Sequence, residues 1–256
     1  MKIGVITDIH EDLISLKKAI EFFEKNNCND LVCLGDIVGF DPNHHTHSDT
    51  RNSSECIHII KENCKYIVAG NHDIYALDRH KFELDDKLDY NNILHKKEYE
   101  NLNYNDLPLE NFSIKDYEFI ENLPKYTLAN FEGNLILLSH SVFPDITGKL
   151  LIRQNNTWEF KEHINFLKSN HCKFSIGGHL HSKGITKSDT QINQLLNFGK
   201  LEFDNSQYHY SLPSLVQRNN KFQVTIIDFN EFYFESFSLP FKIKNSFSLN
   251  VWFKEK

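Results

Sequence analysis

Along the first 70 positions, apolar residues alternate between short continuous runs and helical spacing. Lys2–Thr7 reads as a buried strand, and Leu13, Leu16, Ile20 and Phe23 then recur as one face of a helix. Leu31–Leu34 is a second strand, Cys56, Ile59 and Ile60 mark another helix, and Tyr66–Ala69 is a third strand. This β-α-β-α-β order predicts parallel strands with helices packed on the sheet. From Leu84 to about Asn105 the pattern is helical but polar, and Ile114, Tyr117 and Ile120 mark a short amphipathic helix ending near Leu123-Pro124. Strands return at Tyr126–Asn130 and Leu135–Ser139, a helix spans about Trp158–Lys168, and Phe174–Ile176 is a strand. The last third reads as all-β. Val216 and Phe222 flank an Asn219-Asn220 turn, with Val224–Phe229 and Phe232–Leu239 following, which predicts antiparallel hairpins and a second sheet.

No Gly/Ser/Pro-rich linker or repeat divides the chain, so the expectation is one α/β domain over residues 1–256. Charge refines this picture. The net charge is −7, and the stretch 83–122 alone holds 11 acids against 4 Lys, leaving the remainder neutral. That stretch is read as an acidic, helical insertion. An acidic balance has the wrong sign for a protein that tracks a long nucleic-acid duplex. No run approaches the ~20 apolar residues of a membrane helix, and Asp8 stands where a signal peptide would keep its apolar region, so a cytoplasmic protein is expected. Five cysteines without a Cys-x-x-Cys pair suggest neither a disulfide framework nor a zinc ribbon.

The informative pattern is where metal-type residues fall. Asp8 and His10 follow the first strand, Gly35-Asp36 the second, and Gly70-Asn71-His72-Asp73 the third. His140 follows Leu135–Ser139, and Gly177-Gly178-His179-Leu180-His181 follows Phe174–Ile176. Each piece alone fits a bland role: Asp8, Asn71 or Asp73 as helix caps, Asp36 as a turn, His140 as a structural ring, His179 and His181 as a solvated loop. Together, five strand ends deliver only His, Asp and Asn, the donors that borderline divalent metals prefer. The carboxyl ends of strands in open α/β sheets are also where ligands bind.

Asp8-x-His10, Gly35-Asp36, Gly70-Asn71-His72-Asp73, His140 and Gly178-His179-x-His181 resemble the five blocks of the calcineurin-like metallophosphoesterase superfamily. The longer run Cys33–Asn43, and more loosely Leu212–Arg218, look like its small prokaryotic phosphodiesterase branch. The resemblance covers about residues 1–230. It implies a four-layer α/β/β/α sandwich of two mixed sheets and two divalent metal ions, Mn first, with Fe, Zn, Ni or Co as alternatives. Asp8, His10 and His181 would hold one ion, Asn71, His140 and His179 the other, and Asp36 would bridge them. A hydroxide shared by the ions would attack phosphorus in line. His72 would protonate the leaving oxygen, with Asp73 as its orienting partner, and Asn71 and Arg218 would contact substrate.

The implied activity is a phosphodiesterase acting on a small or nucleotide-like phosphoester. The alternatives are a phosphomonoesterase with the same site and, from another class, a catalytically silent metal-binding scaffold; the complete motif set argues for catalysis. The family's usual Gly after the first His is Glu11 here. A carboxylate beside an anionic phosphate weakens binding, so Glu11 is expected to turn away. In place of the Asp-Arg-Gly of protein phosphatases the chain reads Ile37-Val38-Gly39. His44, His45 and His47 read as a surface loop, Arg153, Lys183 and Arg218 as candidate phosphate contacts, and Tyr90, Tyr99 and Tyr104 as packing the insertion onto the body.

Overall fold

Within β1 (Lys2–Ile6) the side chains sort by parity, as a strand requires. Ile3 and Val5 join one apolar cluster and Ile6 another. Gly4 faces the same side as Ile6, where a Cβ would lie 2.6 Å from the Phe23 ring, so the close seat of the first helix needs a glycine there. The computed structural model describes residues 1–81, 105–148, 157–203, 206–216 and 219–240.

After β1 come α1 (Leu13–Lys25), β2 (Asp30–Cys33), α2 (Ser53–Asn63), β3 (Tyr66–Ile67), α3 (Asn71–Lys81) and α4 (Ile114–Glu121). The second half runs β4 (Tyr126–Phe131), β5 (Asn134–Ser139), α5 (Lys161–Ser169), β6 (Ser175–Gly177), β7 (Ile185–Ser188), β8 (Asn193–Leu196), β9 (Gly199–Glu202), β10 (His209–Ser211), β11 (Lys221–Asp228) and β12 (Tyr233–Pro240). The helices begin where side chains satisfy their first amides. Asp12 accepts from Ser15 N at the start of α1, Asn52 from Glu55 N at the start of α2, and Ser113 and Asp116 form a capping box at α4. Asp12, not Asp8, is therefore the cap of the first helix.

The strands form two mixed six-stranded sheets, in the orders β3-β2-β1-β11-β12-β9 and β4-β5-β6-β10-β7-β8. Between them lies an apolar layer that includes Ile3, Val5, Leu138, Ile176, Tyr210 and Phe234. On the outer face of the first sheet, Leu16, Phe23, Ile57 and Ile60 of α1 and α2 pack on Ile6, Val224 and Ile226. On the outer face of the second, Ile164 and Leu167 of α5 pack on Leu137. These three apolar layers make the expected α/β/β/α sandwich.

The assignment of the last third needs correction. The β11–β12 hairpin does not build the second sheet; it completes the first, with β11 antiparallel to β1 and Ile227 opposite Ile3. Asn219 and Asn220 do turn, at φ 52° and 57°, but they lead into β11, and no described strand contains Val216. The hairpin turn lies between Asp228 and Tyr233. Of the acidic stretch, the described part carries α4 at its expected place, whereas the polar helical pattern before residue 105 lies outside the described residues. Among the described residues, no helix is long and apolar enough to cross a membrane.

Candidate metal centre

β1, β2 and β3 run parallel, as do β5 and β6, so the five motif loops all leave carboxyl ends of strands. Hydrogen bonds tie the two sheets together at this edge. His140 Nδ1 donates to the Leu34 carbonyl at 2.8 Å, His179 N to both Asp8 carboxylate oxygens at 3.1 Å, and Gly178 N to the His140 carbonyl. Gly35 and Gly70 let two loops meet backbone to backbone: a Cβ on Gly70 would overlap Asp36 Oδ1 and lie 2.5 Å from Asp36 N. Asp8, His10, Glu11, Asp36, His179 and His181 all have φ between 47° and 66°. That region is unfavourable for residues with a Cβ by about 1 kcal/mol or more each, and such strain concentrates where side chains must be aimed for chemistry.

The donors converge. His181 Nε2 lies 3.1 Å from Asp8 Oδ1 and 3.1 Å from His10 Nε2. His140 Nε2 lies 3.1 Å from Asp36 Oδ2 and 3.9 Å from Asp8 Oδ1, and His10 Nε2 lies 3.8 Å from Asp36 Oδ2. His179 Nδ1 faces Asn71 Oδ1 at 3.1 Å. Among the described residues, three triads bring one ligand atom from each member within metal-binding reach: Asp8/His10/His181, Asp8/Asp36/His140 and His10/Asp36/His72. Asp36 also accepts the His72 amide through Oδ1 at 2.9 Å. All seven predicted metal-type residues thus stand at one edge, and Asp8, Asp36 and His140 are at most 1% exposed.

Protonation follows from these contacts. His10 donates through Nδ1 to the Gly39 carbonyl at 2.7 Å, and burial and the rings of His45 and His72 hold its pKa well below the ordinary value. It is therefore neutral, with its lone pair on Nε2. Burial, with His140 beside it, lowers His179 to about 4. Burial opposes ionisation of Asp8, yet His181 and His140 hold its carboxyl well below the usual range. For His72, burial disfavours the charged ring, but Asp36 and Asp106 outweigh it and push the pKa up to about 9.

Asp73 does not orient His72, contrary to the expectation. Its carboxylate turns the other way and accepts from the amides of Ile37, Val38 and Gly70 at 2.8–3.1 Å, binding the second and third motif loops together. The carboxylate on His72 is Asp106, whose Oδ2 lies 2.7 Å from Nδ1. The sequence reading missed it, since it is one acid among 11 in its stretch. Only Gly39 hinted at it: a Cβ there would sit 2.6 Å from His72 Cβ and 2.9 Å from Asp106 Oδ2.

Glu11 turns away from the cluster as expected, and its φ of 65° shows why glycine suits that position. The loop after β2 differs from its surface reading. His44 is exposed, but His45 and His47 are buried. The His45 ring lies 4.4 Å from that of His10, and His47 Nε2 donates to the His10 carbonyl at 2.9 Å. Lys183 is exposed. Arg153, Arg218, Tyr90, Tyr99 and Tyr104 lie outside the described residues.

The side chains fit a metal pair. His179 Nε2 is buried without a hydrogen-bond partner, although such groups are nearly always satisfied in folded proteins, and His140 Nε2 has only the Asp36 carboxylate at 3.1 Å. Burial disfavours a charged His140, but Asp36 and Asp8 outweigh it and push the ring up to about 10, whereas His10 and His179 are held neutral; imidazoles beside carboxylates are the donor set of borderline divalent ions.

A model of the calcineurin-like phosphoesterase family matches residues 1–183. Over 254 residues the chain is 26% identical to the uncharacterized protein MJ0912 of Methanocaldococcus jannaschii, covering 96% of this chain and 90% of that one. A metallophosphoesterase from Sphaerobacter thermophilus superposes with a TM-score of 0.66 at 17% identity, over 95% of this chain and 89% of its own. Hypothetical protein PH1004 from Pyrococcus horikoshii OT3 does so with 0.63 at 13% identity, over 94% and 89%. These two likenesses show a shared fold.

Proposed function

Because the chain belongs to the calcineurin-like phosphoesterase family, and is thereby a hydrolase acting on phosphoesters, we propose that it is a two-metal phosphodiesterase for small or nucleotide-like substrates. Asp8, His10 and His181 would hold one ion, Asn71, His140 and His179 the other, with Asp36 between them. The observation that carries this reading is the convergence of seven donor side chains, among them His179 with a buried imidazole nitrogen that has no hydrogen-bond partner. The chemistry that two divalent ions held by these residues would supply is Lewis-acid activation of water and an offset of charge on the phosphoryl oxygens. Imidazole-rich donors suit Mn, Fe, Co, Ni or Zn better than Mg, with Mn as our first choice.

The protein's own groups supply the rest. With Nδ1 held by Asp106, His72 presents Nε2 as the nitrogen that delivers a proton to the leaving oxygen. Asp106 keeps the ring in that orientation, and Asp73 holds the loop from which Asp36 projects. Ile37 and Val38 are fully buried, so the loop after Asp36 offers no guanidinium to the phosphate. A diester bears one phosphoryl charge where a monoester bears up to two, so this loop favours the diester.

The test is a panel of chromogenic phosphodiesters and phosphomonoesters on chelator-treated protein, with Mn²⁺ and the other metals restored singly. Recovery of diester hydrolysis, and its abolition by Asp36→Asn, is expected. Hydrolysis that survives chelation overturns the metal mechanism, and faster hydrolysis of monoesters turns the reading to a phosphomonoesterase.

A further inference from the structure

Glu11 is fully buried next to His10, where an unmatched carboxylate would be strongly unfavourable. Its counter-charge is Arg51, 6% exposed, whose Nε stands 3.2 Å from Glu11 Oε2 as an ion pair outside hydrogen-bond geometry, and the Gly39 amide donates to Oε1 at 3.2 Å. A backbone bridge between Asp12 and Arg51, and the Asn52 amide on the Glu11 carbonyl at 3.2 Å, hold the two chain segments side by side.

From this pair two paths of contact lead into the site. One passes through Gly39: Glu11 holds its amide, and its carbonyl accepts from His10 Nδ1 at 2.7 Å, aiming His10 Nε2 at the donor cluster. The other passes through the guanidinium, which donates from Nη2 to the Pro108 carbonyl, stands 3.5 Å from Glu110 Oε1 and covers the Phe40 ring. That segment carries Asp106, the carboxylate on His72, and Leu107 N donates to the Phe40 carbonyl at 2.9 Å. The paths meet at Gly39, where the room for a side chain is already filled by His72 and Asp106.

We infer that Glu11 and Arg51 are a positioning pair that sets His10 for metal binding and, through the 106–110 segment, Asp106 for His72. The inference rests on the two-metal reading above. Groups that orient a metal ligand commonly change metal affinity 10–100-fold when removed, so this pair acts on the Asp8/His10/His181 side and spares the ion held by His140 and His179.

The experiment is a calorimetric titration of the chelator-treated full chain with Mn²⁺, with thermal unfolding run alongside to establish that each variant is folded. Glu11→Gly is the first variant: glycine suits the backbone there, and Arg51 keeps Glu110 as a partner. The second, Glu11→Gln with Arg51→Met, removes both charges together so that neither is left buried alone. Wild type is expected to bind two Mn²⁺, and both variants to bind one as tightly as wild type and the other about 10–100-fold more weakly. Arg51→Lys, which keeps a cation against Glu11, should retain the tighter second site. Either variant, folded and binding both ions with wild-type affinity, overturns the inference. Wild type that binds fewer than two ions overturns the two-metal reading beneath it.

Discussion

His72 Nδ1 and Asp106 Oδ2 lie 2.7 Å apart, although one residue stands in the first turn of α3 and the other 34 positions further along the chain, in the acidic stretch. A charge-assisted contact of this length fixes the ring and stabilises its protonated form. His72→Ala should therefore lower turnover on diesters by roughly 10²–10⁴ while leaving the metal content unchanged. If that variant loses metal, the ring is a ligand and its assignment as proton donor falls.

Asp106→Asn keeps the shape of the side chain and removes its charge. A mispositioned acid matters most when the leaving group is a poor one, because a stable phenolate departs without a proton. The loss of kcat should accordingly be about tenfold or more for an alkyl leaving group and much smaller for nitrophenolate. Equal losses on both would mean that Asp106 serves packing alone.

Gly70→Ala tests the contact between the second and third motif loops. The new methyl would overlap Asp36 and press on its backbone amide, which cannot swing aside as the end of a long side chain can. A destabilisation of about 1–3 kcal/mol is expected, together with weakened metal binding. Gly133→Ala is the control: nothing lies within 4 Å of its Cβ, so only its φ of 79° opposes the change. It should cost about 1–2 kcal/mol and leave metal binding alone. Chemical denaturation and metal titration of both variants check this; intact metal binding in Gly70→Ala would refute it.

The sequence reading placed the donors because strand ends are local features. Asp8, Asp36, Asn71, His140 and His179 each follow an apolar run that is visible by itself, and the α/β rule then gathers them. Asp106 and Arg51 carry no such mark. Asp106 is one acid among many, and the Arg51–Glu11 pair links positions 40 apart through a fit that only the folded loops create. The burial of His45 and His47 has the same origin: a polar loop beside Pro42 and Asn43 reads as surface until Phe40 and His10 are seen packed against it. β8 and β9 were missed because Asn193–Leu196 and Gly199–Glu202 are short and partly exposed, with no apolar run to announce them. The placement of β11 beside β1 was illegible for another reason. Alternation predicts a strand but not its partner.

His163 and His209, to which the sequence assigned no chemistry, form a buried chain with Ser175 and Ser211. The Phe143 amide donates to His163 Nδ1 at 2.8 Å, so a neutral His163 carries its proton on Nε2, 2.7 Å from Ser175 Oγ. The Ser175 hydroxyl then donates to His209 Nδ1 at 2.9 Å, and His209 Nε2 to Ser211 Oγ at 3.1 Å. Burial lowers His209 to about 3, and burial together with His209 holds His163 well below its usual value. In the unfolded chain both rings bind protons near pH 6.5. Above that pH both states hold neutral rings and the pair adds no pH dependence. As the pH falls from 6.5 toward 3, the unfolded state takes up protons that the folded state refuses, so stability declines by up to about 1.4 kcal/mol per pH unit for each ring. Urea unfolding from pH 7.5 to 4.5 should show that decline in wild type and a flatter one in His163→Gln/His209→Gln. Comparing the two slopes removes the contribution of every other titrating group. Parallel slopes would show that these rings do not titrate as the buried chain requires.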